Sequence, residues 1–144
     1  MSDVERFGVR DLTYSRWHRV DSISRFVGRE VAEELTYIDV DVLEYCRVCR
    51  EPLLLAELAR DVGQNHKNTT VLVMLAKAAN VPAIVVLYRI AGEDIDRFRV
   101  KNLWPRRDSQ WKYYRPDEFA SRLWLIRERH RCYRKAAQTG GLLA

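Results

Sequence analysis

Two aspartates, Asp39 and Asp41, sit in a stretch that alternates polar and apolar side chains, Thr36-Tyr-Ile-Asp-Val-Asp-Val-Leu-Glu-Tyr45. In an extended chain the side-chain period is two. Ile38, Val40 and Val42 therefore share one face and the two aspartates the other. A second extended stretch, Leu53 to Ala59, places Leu53, Leu55, Glu57 and Ala59 on one face. If the two stretches pair as a hairpin, Asp41 and Glu57 can approach across it. From Glu30 to Glu44 there are six carboxylates and no Lys or Arg. Converging carboxylates repel and raise one another's pKa. A hard divalent cation, Mg2+ or Mn2+, relieves that repulsion through oxygen ligands. Such an ion activates water and stabilises charge developing on a phosphodiester. The competing reading is a solvent-facing strand side whose acids pair with nearby arginines.

Cys46-x-x-Cys49 falls in the turn between these stretches. Two thiolates at that spacing are half of a tetrahedral Zn2+ site. His130 and Cys132 could supply the other half and tie the hairpin tip to the last helix. No second CxxC exists, and small buried thiols without zinc are the preferred reading. Three cysteines and no disulfide framework suit a reducing compartment. Trp17-His18-Arg19 offers His18 and Arg19 for phosphate contact or acid–base help, with Trp17 packing as core. Arg106 and Arg107, in a turn after Trp104-Pro105, are candidate phosphate anchors. A solvated loop explains them equally well.

The elements that must position these residues read in order. Ile23, Phe26, Val27, Val31 and Leu35 give one helical stripe in a helix beginning at Ser15, with Asp21 or Ser22 as cap. The two strands follow. Asn68 or Thr69 caps a helix to about Ala79, with Val71, Leu72, Leu75, Ala78 and Ala79 as its buried side and Asn80 as its stop. Pro82 to Ile90 is a continuous apolar run, expected for a strand buried on both faces. Phe98 to Leu103 is a further strand. Pro116-Asp117-Glu118 opens a last helix with Phe119, Leu123, Ile126 and Arg127 in register, running to about Arg134. The order α–β–β–α–β–β–α predicts an α/β domain, a small mixed sheet flanked by helices. One domain is expected over 1–137, with residues 138–144 as a flexible tail.

The order of elements and the acids resemble the PD-(D/E)XK nuclease superfamily, the restriction-endonuclease-like fold. The matching stretches are Tyr14-Ser-Arg-Trp-His-Arg19, Ile38-Asp-Val-Asp-Val-Leu-Glu-Tyr45 and Leu53-Leu-Leu-Ala-Glu-Leu-Ala59, over roughly half the chain. The resemblance implies a Mg2+-dependent nuclease acting on DNA, of the kind phages encode. In it Asp41 is the first acid, Glu57 the second, and Asp39 assists or competes for the first place. The family carries Lys two residues after the second acid, where this chain has Ala59. Lys67 is the nearest replacement and Lys77 the next. The alternative is a catalytically inactive member that binds nucleic acid or a protein partner.

Charge and length fit this frame. The chain has 144 residues and a net charge of +5. Residues 96–135 hold 13 basic and 5 acidic side chains, against 12 and 15 in residues 1–95. Eight of the 15 aromatics also lie in 96–135. Cations interleaved with rings suit a nucleic-acid surface. No apolar run approaches the roughly 20 residues of a membrane span. The N-terminus lacks a signal-peptide pattern, so a cytoplasmic location is expected, the host cytoplasm if phage-encoded. A homodimer is compatible with this reading. No phosphate loop, HExxH, G-x-S-x-G or EF-hand pattern is present.

Overall fold

The computed structural model describes residues 11–132. The expected tail at 138–144 lies outside them. The chain divides into two compact units between Asp39 and Val40.

Among the described residues the first unit carries three short helices where the stripe predicts one. They are α1 (Thr13–Trp17), α2 (Val20–Val27) and α3 (Arg29–Glu34). Arg19 is extended at ψ 149, which separates α1 from α2. Gly28 takes φ +84, a backbone that side chains resist, and separates α2 from α3. The breaks dissolve the predicted stripe. Ile23 and Ala32 are buried, whereas Phe26, Val31 and Leu35 are exposed. Neither predicted cap holds. Arg19 occupies the N-cap of α2 without a side-chain bond, and Asp21 lies in the first turn.

The second unit is a five-stranded sheet with one helix on each face. Its strands are β1 (Val42–Tyr45), β2 (Pro52–Arg60), β3 (Ala83–Ala91), β4 (Asp94–Trp104) and β5 (Lys112–Tyr114). Its helices are α4 (Thr70–Ala79) and α5 (Pro116–Arg129). The sheet order is β1-β2-β3-β4-β5. Only β2 and β3 pair in parallel, and α4 lies between them in the chain. Parallel neighbours need such a crossover, whereas the antiparallel pairs need only turns.

The register assigns the two faces. Leu55, Ala83, Val85 and Leu103 pack with Leu72 and Ala76 of α4. Leu54, Ala56, Ile84, Val86 and Val100 pack with Phe119, Leu123 and Ile126 of α5. Ala83 to Leu87 are all buried, as the uninterrupted apolar run predicts for a central strand. The buried stripe of α4 is narrower than predicted, because Val71 and Leu75 are exposed and Ala76 is buried. Asn80 stops α4 in the left-handed conformation at φ 54. Pro116 opens α5, and Glu118 Oε1 accepts the Arg115 N–H at 2.9 Å.

Strand β4 starts at Asp94 instead of Phe98, and three further features differ from expectation. The first strand starts at Val42 instead of Thr36, so Asp39 is not on it. Strand β5 is absent from the predicted order. Helix α5 ends at Arg129, where His130 turns extended at ψ 124.

Candidate functional site: a carboxylate–lysine group and a sulfur-rich cluster

The β1–β2 hairpin pairs Val42 with Ala56 and Leu43 with Leu55. Carried back one residue, this register sets Asp41 opposite Glu57, and opposite residues of an antiparallel pair share a face. Asp41 Oδ2 also accepts the Leu58 N–H at 2.8 Å, which fixes the carboxylate against β2. Glu57 follows three buried residues of β2 and is itself partly covered. Its Oε1 lies 3.1 Å from Lys67 Nζ, with the two side chains 20% and 30% exposed. Lys67 reaches Glu57 from the polar loop that leads into α4. That loop is organised locally: Asn68 Oδ1 accepts the Thr70 N–H at 3.2 Å, and Thr69 is the N-cap.

A second charged group adjoins it on the same sheet face. Asp61, just past β2, binds Arg99 of β4 through two bonds, 2.8 Å from Nε and 2.5 Å from a terminal nitrogen. Both side chains are 6% exposed. The Arg99 bonds hold the Asp61 carboxyl down at about 2, helped by the Gly63 N–H. Arg99 lies in one cross-strand row with Leu87 and Ala59. Lys101 lies in one row with Val85 and Glu57. Lys101 Nζ and the Arg99 guanidinium both sit over the Trp111 ring, 4.8 and 5.0 Å from its centre. Sequence analysis does not single out Asp61. The readable signal was the alternation Arg97-Phe-Arg99-Val-Lys101, which puts three cations on one strand face.

The remaining predicted site residues lie elsewhere. Asp39 is exposed and closes the first unit. His18 belongs to a ring cluster of that unit. Its centroid is 4.4 Å from Tyr37, its Nδ1 is 3.1 Å from Tyr14 Oη, and its Nε2 is 3.1 Å from the Leu35 carbonyl. Both ring nitrogens are therefore engaged, and Arg19 is exposed beside it. Arg106 and Arg107 are exposed in the loop after β4 and have no ion-pair partner among the described residues. Their loop is pinned by Asp108, whose Oδ2 accepts both the backbone N–H and the Nδ2 of Asn102 at 3.0 Å. Asn102 in turn accepts from Arg122 of α5.

The sequence reading prefers plain thiols for the cysteines, and the structure assembles more. Cys46, Cys49, His130 and Cys132 bring one sulfur or nitrogen each to within 4.8 Å of every other. This group could hold a metal ion. The three cysteines are buried in a small cluster with Val48 and Leu53. Cys49 Sγ lies 3.2 Å from His130 Nε2. Backbone N–H groups of Cys49 and Val48 point at the Cys46 sulfur and hold its thiol down at about 6. Burial pushes the Cys49 thiol up.

No helix among the described residues is long and apolar enough to cross a membrane. No family model, curated protein or solved structure matches the chain.

Proposed function

We propose that the chain is a metal-dependent nuclease of restriction-endonuclease-like fold, hydrolysing phosphodiester bonds in DNA. The observation that carries this reading is the Glu57–Lys67 pair at 3.1 Å, with the Asp41 carboxylate on the adjoining Leu58 N–H. On this reading Lys67 takes the part of the strand lysine that Ala59 replaces.

Asp41 and Glu57 offer only oxygen ligands, which fits Mg2+ or Mn2+ better than softer ions. The ion supplies Lewis-acid polarisation of a phosphate oxygen and a more acidic water. The chain's own groups do the rest. Glu57 orients the attacking water. Lys67, steadied by Glu57, donates to a non-bridging oxygen as negative charge grows there. Water adds to phosphorus, one P–O ester bond breaks, and the water's proton ends on the leaving alkoxide. Arg106 and Arg107 hold the flanking backbone as phosphate contacts without sequence preference. The sulfur-rich group is separate from this chemistry, and its thiolates suit a softer ion.

A second reading is a non-cleaving module of the same fold. Ala59 and the engagement of both acids favour it: Asp41 already caps Leu58, and Glu57 already pairs with Lys67. Purified protein incubated with supercoiled plasmid, branched DNA and RNA decides the matter. Cleavage with Mg2+ or Mn2+ that EDTA abolishes supports the nuclease. Retention of nucleic acid with no cleavage under any ion supports the module.

A further inference from the structure

The three thiols and His130 take no part in the proposed reaction, yet they are the most concentrated soft-ligand set among the described residues. We propose that Cys46, Cys49, His130 and Cys132 bind one zinc ion in a closed, structural site. This site fastens the tip of the β1–β2 hairpin to the segment after α5.

The geometry is that of a single ion. Zinc bonds of about 2.3 Å to sulfur and 2.0–2.1 Å to nitrogen put tetrahedral ligand atoms roughly 3.5–3.8 Å apart. The four atoms here all lie within 4.8 Å of one another, and the Cys49–His130 pair is at 3.2 Å. A modest adjustment closes them round one centre.

The local backbone is shaped for it. Residues 46–50 form a tight turn in which Cys46 O accepts the Arg50 N–H at 2.8 Å. Arg50 takes φ +68, a left-handed conformation that a β-carbon disfavours. A strained arginine at a hairpin tip persists where the surroundings require it. Here it returns the chain so that the Glu51 carbonyl accepts the Cys46 N–H at 2.8 Å. The N–H groups of Val48 and Cys49 meanwhile donate to the Cys46 sulfur, as they would to a metal-bound thiolate.

The ligand count assigns the role. Four protein ligands fill a tetrahedral shell and leave no position for water or substrate. Three sulfurs and one nitrogen select zinc over Mg2+. The site also answers a packing problem. Strand β1 is a four-residue edge strand whose residues Leu43, Glu44 and Tyr45 are exposed, and among the described residues the apolar support around the cysteines is Val48 and Leu53. Binding free energy at such a site is folding free energy. The inference stands without the nuclease reading. Only one consequence rests on that reading: zinc keeps in place the strand that Asp41 precedes.

The test uses the full chain purified without chelator. Elemental analysis should give about one zinc per chain, as a closed four-ligand site requires. Replacement of zinc by Co2+ should give intense visible bands of tetrahedral cobalt and near-ultraviolet thiolate-to-cobalt absorption. Cys132→Ser and His130→Ala should each weaken zinc at least ~10²-fold, the upper end for loss of a supporting partner. Should either variant fail to fold, the cobalt spectrum of the unaltered chain still decides. Zinc far below one equivalent overturns the proposal. So does a six-coordinate cobalt spectrum, or a Cys46–Cys49 disulfide in freshly purified folded protein. None of these readouts involves cleavage, so failure of the zinc site and failure of the nuclease reading are told apart.

Discussion

Lys67 Nζ lies 3.1 Å from Glu57 Oε1, joining the loop before α4 to the second strand of the sheet. The contact spans two elements, and each partner is only partly exposed. It therefore holds the lysine against Glu57, beside the Leu58 N–H that Asp41 accepts. If the lysine acts on the phosphate, Lys67→Ala should lower the cleavage rate at least ~10²-fold, the low end for a positioned proton donor. Lys77→Ala should leave the rate unchanged, since Lys77 is exposed in the last turn of α4. A large loss at Lys77 with little at Lys67 would reassign the role.

Asp41→Asn keeps the side chain's shape and an oxygen for the Leu58 N–H but removes the charge. Divalent ion that binds only the folded state stabilises it by about 2.7 kcal/mol at roughly 100 times Kd. Mg2+ should therefore raise the Tm of the unaltered chain, and Asp41→Asn should lose that rise while keeping its Tm without Mg2+. A variant that still melts higher with Mg2+, or still cuts, refutes the site.

Asp61 gives a pH signature. Its carboxyl falls from an ordinary 3.8 to about 2 because Arg99 bonds to it. A depressed carboxyl contributes stability above its unfolded value, and that contribution is lost as pH falls through the folded value. The window is thus pH 4 down to 2, and the shift amounts to ~2 kcal/mol. Denaturant unfolding should show Asp61→Asn losing less stability than the unaltered chain across that window. At pH 7 the variant should be weaker by about 3–5 kcal/mol, because Arg99 stays buried without its partner. Parallel pH profiles for the two proteins would exclude the pair as the cause.

Arg106 and Arg107 are free to meet phosphates on a pinned loop. Replacing both with alanine should weaken DNA binding about equally across sequences. The dependence on log salt should flatten by up to roughly two units, one per lost phosphate contact. Binding titrations at several salt concentrations measure this directly. Binding that ignores salt would leave a protein partner as the target.

Local signals made much of the fold readable. Asn80, Pro116 and the apolar run in β3 each mark one element, and each stands where its chemistry predicts. The alternation at 36–41 misled because β-rich composition makes a strand only where a neighbour supplies hydrogen bonds, and β2 pairs no further back than Val42. The stripe from Ile23 to Leu35 misled because its spacing runs straight through Gly28. The site was readable in part. Asp41 and Glu57 follow from hairpin pairing, and Lys67 from proximity to the helix start. The Asp61–Arg99 bond links residues 38 apart in sequence, and no local pattern announces such a partner. Cys49 and His130 lie 81 apart in sequence, so spacing could name the two pairs of the sulfur-rich cluster but not their meeting.

The strands lie in the sheet in the order in which they occur in the chain. Every strand thus finds its partner among its sequence neighbours, and the α4 crossover between β2 and β3 is the longest of these closures. The joining of Cys46 and Cys49 to His130 and Cys132 is a far longer closure, and it rewards the chain only after the sheet exists. Refolding monitored by intrinsic fluorescence should then proceed at a rate indifferent to zinc. Unfolding should slow markedly when zinc is present, because a contact formed after the rate-limiting step acts on escape from the native state alone.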